Sequence, residues 1–358
     1  MKLVKHLSPI PPPYGGVTIH VLRLIEKLQH DGFSAGAYFN SGSKFLLKHL
    51  SKYKGFSRKL FFYSIYNLLN DTKNYQIIHT HNFFDDAVLL YFLNFFYKKK
   101  IVVTVHNDRS YNIYNSQNII FRFFIKKLSK KNITWITVSE IAKKELLRLP
   151  INIHKINVIP AFIPKLNEST SKVNISNELI KFTKKFDQVI IFYAFSLLVD
   201  NKDLYGAKEV LLMFAKLLKN KKNNYCLVFC VSKINSDISS YKSFAKENDI
   251  FDKIYWQLGP IKDMYELWSM SDLYVRPTML DGDSISIREA LEMNVKVVAS
   301  DVAKRPNGVL TYKKENISDF KNKVLIKLKE KKSDTSNNKD FSHYNKILKL
   351  YLKLKNEK

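Results

Sequence analysis

Two carboxylates eight positions apart, Asp281 and Glu289, are the most chemically suggestive pair in this 358-residue chain. Between them Asp281-Gly282-Asp283-Ser284 reads as a turn, and Ile285 to Met293 has the spacing of a helix. Ser284 is a natural N-cap, and the amides that follow it have no acceptor within the helix, so its tip favours an anion such as phosphate. At a rise of about 1.5 Å per residue, Glu289 falls roughly 7–8 Å farther along, one sugar ring from that seat. A second group is His79, His81 and His106, at or just after the carboxyl ends of two predicted strands, where open α/β sheets bind ligands. A third is Gly15-Gly16, between the opening strand and a helix, where backbone amides can approach an anion closely.

A zinc site built from His79, His81 and His106 with Asp85 or Asp86 can be drawn on paper. One intervening residue between His79 and His81 gives no ordinary ligand geometry, however, and no cysteine or further histidine lies near in sequence, so no metal is expected.

These groups need a scaffold. Apolar runs at Leu3–Leu7, Phe33–Phe39, Ile77–Thr80, Ile101–His106, Ile133–Val138 and Ile156–Ile159 alternate with helical patterns, as in Val17, Val21, Leu24, Ile25 and Leu28. The alternation restarts at Gln188–Phe195 and continues through Tyr225–Val231, Lys253–Trp256, Leu273–Arg276 and Lys296–Ala299. Strands alternating with helices predict parallel sheets covered on both faces, and two arrays predict two doubly wound domains. The expected domains are 1–164, with the closing helix 338–358 packing back on it, and 165–337. The boundary lies in the proline-marked, polar stretch Pro160 to Val173.

Taken in order, these landmarks resemble the retaining, family-4 type glycosyltransferases of GT-B fold. The resemblance rests on Gly15-Gly16-Val17, Val103-Thr104-Val105-His106, Val138-Ser139-Glu140, Trp256-Gln257-Leu258-Gly259-Pro260 and the acidic-x7-Glu pattern of Asp281 and Glu289. It implies an α/β GT-B architecture of two doubly wound Rossmann-like domains facing across a cleft, and a nucleoside-diphosphate sugar as donor. Donor contacts then fall to Gly15, Gly16, Lys202, Gly259, Asp283, Ser284, Ile285 and Glu289. Asp281 holds sugar hydroxyls, His106 orients the reacting sugar, His81 faces the acceptor, and His79 is structural. The family commonly has glutamate at the first acidic position and an arginine where Ser196 stands; Lys202 is the replacement cation, with Arg276 and Lys208 as alternatives. Asp281-Gly282-Asp283 also matches the Asp-x-Asp of metal-dependent transferases, but its place just ahead of the Glu289 helix fits that reading poorly. No cofactor or divalent metal is therefore expected, and a helix dipole with protein cations must balance the diphosphate.

Charge narrows the surroundings. With 59 Lys and Arg against 32 Asp and Glu, the net charge of +27 exceeds what lysine-rich codon use alone explains. Lys98-Lys99-Lys100 and Lys126-Lys127 with Lys130-Lys131 lie beside aromatic stretches such as Tyr91 to Tyr97, a pattern suited to an anionic membrane surface. The chain has no run of roughly 20 apolar residues and opens as a strand, so a cytoplasmic protein, peripheral at the inner face of the membrane, is expected. Cys226 and Cys230 are too far apart along one strand to bridge and read as buried thiols. The acceptor implied is a glycan, isoprenoid-lipid-linked, of bacterial surface polysaccharide. A nucleotide-sugar epimerase of the same architecture is the alternative enzyme. A basic nucleic-acid-binding protein is the alternative without chemistry; it lacks any recognition motif, and nucleic acid is not an expected partner.

Overall fold

Runs such as Ile101 to Val105, β-branched and buried on both faces, can only be interior strands of a parallel sheet, and the computed structural model contains two of these sheets. It describes residues 2–11, 15–38, 66–153, 155–166, 175–198, 201–219, 224–233, 238–261, 263–331 and 339–357. The chain divides into two compact units, Met1–Leu166 with Asp340–Lys358, and Asn167–Lys339.

In the first unit six parallel strands, β1 (Lys2–Leu7), β2 (Ala35–Tyr38), β3 (Tyr75–Thr80), β4 (Lys100–Val105), β5 (Ile133–Thr137) and β6 (Ile156–Val158), take the order β2-β1-β3-β4-β5-β6. One face packs on α1 (Gly16–His30) and the closing helix; the other packs on α2 (Phe83–Tyr97), α3 (Ser110–Ser116), α4 (Ile119–Ser129) and α5 (Glu140–Leu147). The strands run close to their expected limits. Phe39 lies outside the described residues, and β4 ends one residue before His106, which leaves that side chain on the loop.

The second unit repeats the plan with β7 (Gln188–Ser196), β8 (Tyr225–Lys233), β9 (Ile254–Leu258), β10 (Leu273–Arg276), β11 (Lys296–Ser300) and β12 (Val309–Tyr312), in the order β12-β11-β10-β7-β8-β9. Its helices are α6 (Asn177–Thr183), α7 (Ala207–Leu218), α8 (Ser239–Glu247), α9 (Met264–Ser269), α10 (Ile285–Glu292) and α11 (Ile317–Lys329). Strand β12 has no counterpart in the sequence reading: only Val309, Leu310 and Tyr312 are apolar, too short a run to separate from a loop. Cys226 and Cys230 are buried, unbridged thiols on one face of β8, and burial raises the pKa of each, to about 12 for Cys226.

The closing helix α12 (Ser342–Asn356) belongs to the first unit. Tyr344, Ile347, Tyr351 and Leu354 fill one core with Leu3, Val4, Val21, Leu24 and Leu28. Three polar contacts fix its register. Tyr344 donates to Asp31 at 2.6 Å, Tyr351 meets His79 Nδ1 at 2.5 Å, and Lys100 donates to the Leu354 carbonyl at 2.5 Å near the negative end of the helix.

In the second unit the loop before α7 is pressed against the end of β10. Gly206, the N-cap of α7, has φ +75, and a Cβ there would lie 2.1 Å from the Pro277 carbonyl oxygen. Both the conformation and the close approach exclude a side chain. Gly206→Ala is therefore expected to cost at least about 1–3 kcal/mol, read as a lowered midpoint in chemical denaturation, whereas Gly15→Ala, with open space at its Cβ, should leave the midpoint near wild type.

Candidate functional site

Each sheet has one place where strand order reverses, and there the loops at the carboxyl ends diverge and leave room for a ligand. In the first unit it lies between β1 and β3, in the second between β7 and β10. The chemistry-bearing residues of each unit collect at its own reversal.

In the first unit β1 and β3 place His6 beside His79 in register. His81 follows β3, His106 follows β4, and His20 enters from α1. Five imidazoles thus share one end of the sheet. His81 is the centre: its Nε2 is 3.1 Å from His6 Nδ1, and its Nδ1 is 2.9 Å from His106 Nε2. His79 is bound on both sides, by Tyr351 and by Thr104 Oγ1 at 2.7 Å. His20 Nδ1 donates to the Ala161 carbonyl. Burial is the main force on all five and favours the neutral ring, with the other imidazoles adding to it for most of them. His6 is lowered to about 3, His20 to about 4 despite its carbonyl partner, and His79, His81 and His106 well below the usual range.

This arrangement bears on the histidine readings of the sequence. His79, expected to be structural, has both ring nitrogens engaged, by Tyr351 and by Thr104. His81, expected to face an acceptor, is instead 6% exposed with both nitrogens engaged by neighbouring rings. His106 is the half-buried outer member of the chain of rings. Neither His6 nor His20 was anticipated, because His6 is 75 residues from His81 and lies inside an ordinary strand pattern.

At the start of α1, Gly15 is extended, and Thr18 Oγ1 both accepts from its amide and donates to its carbonyl, each at 3.0 Å. Gly15 itself has no side chain to cap the helix amides. Gly16 forms its first residue, so an anion could approach the turn without meeting a Cβ at position 15.

In the second unit β10 delivers Arg276 into the turn that holds Asp281. Arg276 donates to Asp281 from Nε at 3.2 Å and Nη2 at 3.3 Å, and Arg305 donates from Nη1 at 2.6 Å. Arg305 is itself tied to the Ser300 carbonyl at 3.0 Å, and the guanidinium of Arg276 lies 5.1 Å from the centre of the Tyr205 ring. Burial alone would raise the Asp281 pKa; the charges of the two arginines outweigh it and hold the carboxyl below its ordinary value. Asp281 therefore serves first as the anchor of the turn, with its oxygens committed to arginines rather than presented to a sugar. Arg276, the alternative diphosphate cation of the sequence reading, is paired here with Asp281.

Beyond the turn, Ser284 caps α10, its Oγ accepting from Ile287 N. The first-turn amides after Ser284 point off the helix end, as its geometry requires. Arg288 reaches back to Asp283 Oδ1 at 2.6 Å, and Asp283 Oδ2 is buried with no hydrogen-bond partner among the described residues. Glu289 is 4% exposed, on the buried side of α10.

The loop after β7 answers differently from expectation. Asp203, not singled out from the sequence, accepts from the amides of Gly206 at 2.7 Å, Ala207 at 3.0 Å and Lys208 at 3.0 Å, so an internal carboxylate fills the tip of α7. Lys202 is exposed beside it, and Val199 and Asp200 lie outside the described residues. Gly259 ends β9 with φ +115 and open space where a Cβ would be.

Comparison with known proteins follows this geometry. Residues 14–164 match the family model described as Glycosyltransferase Family 4. No curated protein matches the chain. Among solved structures, a glycosyltransferase from Rickettsia africae ESF-5 is similar at TM-score 0.70 and 17% identity, covering 100% of both chains. Anabaena HepE in complex with UDP-glucose is similar at TM-score 0.68 and 12% identity, covering 98% of this chain and 99% of that one. WaaG, a glycosyltransferase involved in lipopolysaccharide biosynthesis, is similar at TM-score 0.59 and 12% identity, over 91% and 90%. At these identities the likeness speaks to fold.

The clamp on Asp281 has a measurable signature. A carboxyl held below its ordinary value contributes stability that is complete above that value, near 3.8, and is lost as pH falls through the lower folded value. Arg305→Ala removes one of the two charges that hold it down. The variant should lose about 1–3 kcal/mol at neutral pH and begin acid unfolding at a higher pH than wild type, both followed by circular dichroism.

Proposed function

We propose that this chain, whose residues 14–164 match the Glycosyltransferase Family 4 model and whose fold is similar to that of solved glycosyltransferases, moves a sugar from a uridine diphosphate sugar to a hydroxyl of a lipid-linked glycan. The transfer retains configuration and takes place at an anionic membrane surface. The observation that carries the donor part is the element after β10, where an arginine-anchored turn ends in a capped helix tip with a carboxylate inside the same helix. UDP-glucose in HepE supports the choice of nucleotide.

Each group then has a task its chemistry suits. The amides of Ser284 and Ile285 receive the diphosphate and stabilise the charge that grows as the glycosidic bond breaks, where the largest gain is available. Lys202, exposed in the segment after β7, supplies a counter-charge. Glu289 accepts hydrogen bonds from the ribose hydroxyls, which a carboxylate can do with both oxygens. Asp283, with Oδ2 unpartnered, accepts from a sugar hydroxyl. Ion pairing of Asp281 and Asp283 with arginines offsets their repulsion toward a diphosphate. With no carboxylate assigned as nucleophile, retention calls for front-face attack in which the leaving phosphate takes the acceptor's proton.

The membrane part rests on the first unit. Phe95 and Phe96 at the end of α2, and Ile119, Ile120 and Phe123 on α4, are all more than half exposed. The two helices pack through Tyr91 and Phe124, whose rings lie 5.1 Å apart. Lys98, Lys126, Lys127, Lys130 and Lys131 follow these aromatics in sequence, and the Lys127 ammonium sits 5.5 Å from the Phe123 ring centre. Exposed apolar rings beside lysines suit a bilayer interface, each lysine contributing about 1 kcal/mol against anionic lipid. No helix among the described residues is long and apolar enough to cross a membrane.

Two outcomes test this reading. UDP should raise the thermal midpoint of the wild type, whereas Glu289→Ala, still folded, should respond weakly and lose at least about 100-fold in turnover, roughly 2.7 kcal/mol of transition-state stabilisation; near-normal turnover would sink the assignment. Co-sedimentation with vesicles containing anionic lipid should weaken as salt rises and fall several-fold in a Phe95→Ser, Phe96→Ser, Phe123→Ser variant. Binding indifferent to salt, lipid charge and these changes would remove the membrane part.

A further inference from the structure

We infer that His20, His81 and His106 of the first unit form a three-imidazole site for a transition-metal dication of the zinc class. Three observations converge on it, the first being geometric. One nitrogen from each of the three rings lies within 4.8 Å of the other two, and His81 Nδ1 is 2.9 Å from His106 Nε2. Two imidazole nitrogens bound to one tetrahedral zinc at about 2.0–2.1 Å lie about 3.3 Å apart. A shift of a few tenths of an ångström therefore converts this hydrogen-bonded pair into a pair of ligands.

The second is the outer ring of contacts, which fixes the tautomer of His20 and is compatible with the one a metal needs at His81. A ligating histidine presents one lone pair to the ion and donates its other N–H to a neighbour that fixes the ring. His20 Nδ1 donates to the Ala161 carbonyl, which leaves the lone pair on Nε2. His81 Nε2 has His6 Nδ1 as its partner at 3.1 Å, which leaves Nδ1 for the ion. The third is an unmet need. His20 is 1% exposed, yet its Nε2 has no hydrogen-bond partner among the described residues, a costly state for a buried polar atom that a metal bond would relieve.

The neighbouring trio of His6, His79 and His81 also has its ring nitrogens close together. It is less suited, because both His79 nitrogens are already engaged, by Tyr351 and by Thr104. Three neutral nitrogen ligands with no carboxylate favour zinc, nickel or copper over magnesium or calcium, which take oxygen. His106 is the half-buried member, so a fourth position can be open to water.

The test uses the full-length protein without a histidine tag, stripped with a chelator, incubated with zinc and desalted. About one zinc per chain by elemental analysis is expected, and cobalt(II) should give the intense visible bands of four-coordinate nitrogen ligation. His20→Ala and the milder His106→Gln should each lower zinc retention at least tenfold, while His30→Gln, an exposed histidine of α1, should not. Retention below one tenth of an equivalent by wild type, the weak spectrum of six-coordinate cobalt, or retention unchanged in folded His20→Ala and His106→Gln would each overturn the site. Should either variant fail to fold, wild-type stoichiometry and the cobalt spectrum still decide.

Discussion

Parallel pairing is the constraint from which the rest follows. When all six strands of a sheet run the same way, every carboxyl end and the loop after it emerge on one edge. Where the order reverses, the helices on either side diverge and that edge opens. His6 and His79 meet because β1 and β3 are neighbours at the reversal in the first unit; the loop carrying Asp203 meets the turn carrying Thr278 because β7 and β10 are neighbours in the second. Residues 70 or more positions apart become partners without any local signal that they should.

Inside this frame, electrostatics follows burial. In the second unit several enclosed charges come in pairs or larger sets: Asp281 with two arginines, Asp283 with Arg288, and Glu209 with Lys314 and Tyr312. Together these hold the end of β10 and its turn rigid, since Lys314 also donates to the Pro277 carbonyl at 3.0 Å and Thr278 Oγ1 sits 2.8 Å from the Leu204 carbonyl. A fixed turn aims the tip of α10 before any ligand arrives, which spares the ordering cost of binding. The first unit has the opposite solution. Among the described residues its buried imidazoles have only other rings, hydroxyls and a carbonyl as hydrogen-bond partners, and burial keeps them neutral.

Most of the architecture was legible in the chain. Buried strands announced themselves through β-branched runs, and the tip of α10 through a serine between an acidic turn and a helical pattern. Strand β12 was not legible, because its exposed Thr311 breaks a run already at the lower limit of length. Among the candidate site residues, local setting was legible and tertiary partners were not. Asp281 was found, but its partner Arg305 is 24 residues away, inside a segment with no pattern of its own. Lys202 was chosen for its charge, while the adjacent Asp203 caps the helix, an outcome set by where the loop folds back.

What the sequence by itself determined was periodicity and local chemistry: two parallel α/β arrays, a capped helix beginning at Ser284, and histidines and carboxylates at strand ends. Those properties depend on residues within a turn or two of one another, so linear order is enough to reveal them. Only the tertiary structure decided which side chains share a space. It gathered five histidines from four separate segments, clamped Asp281 between two arginines, and enclosed His81 within its neighbours. The physical reason is that strand order, not sequence order, sets adjacency in a doubly wound sheet, and burial then determines whether a side chain is charged, neutral or already bound.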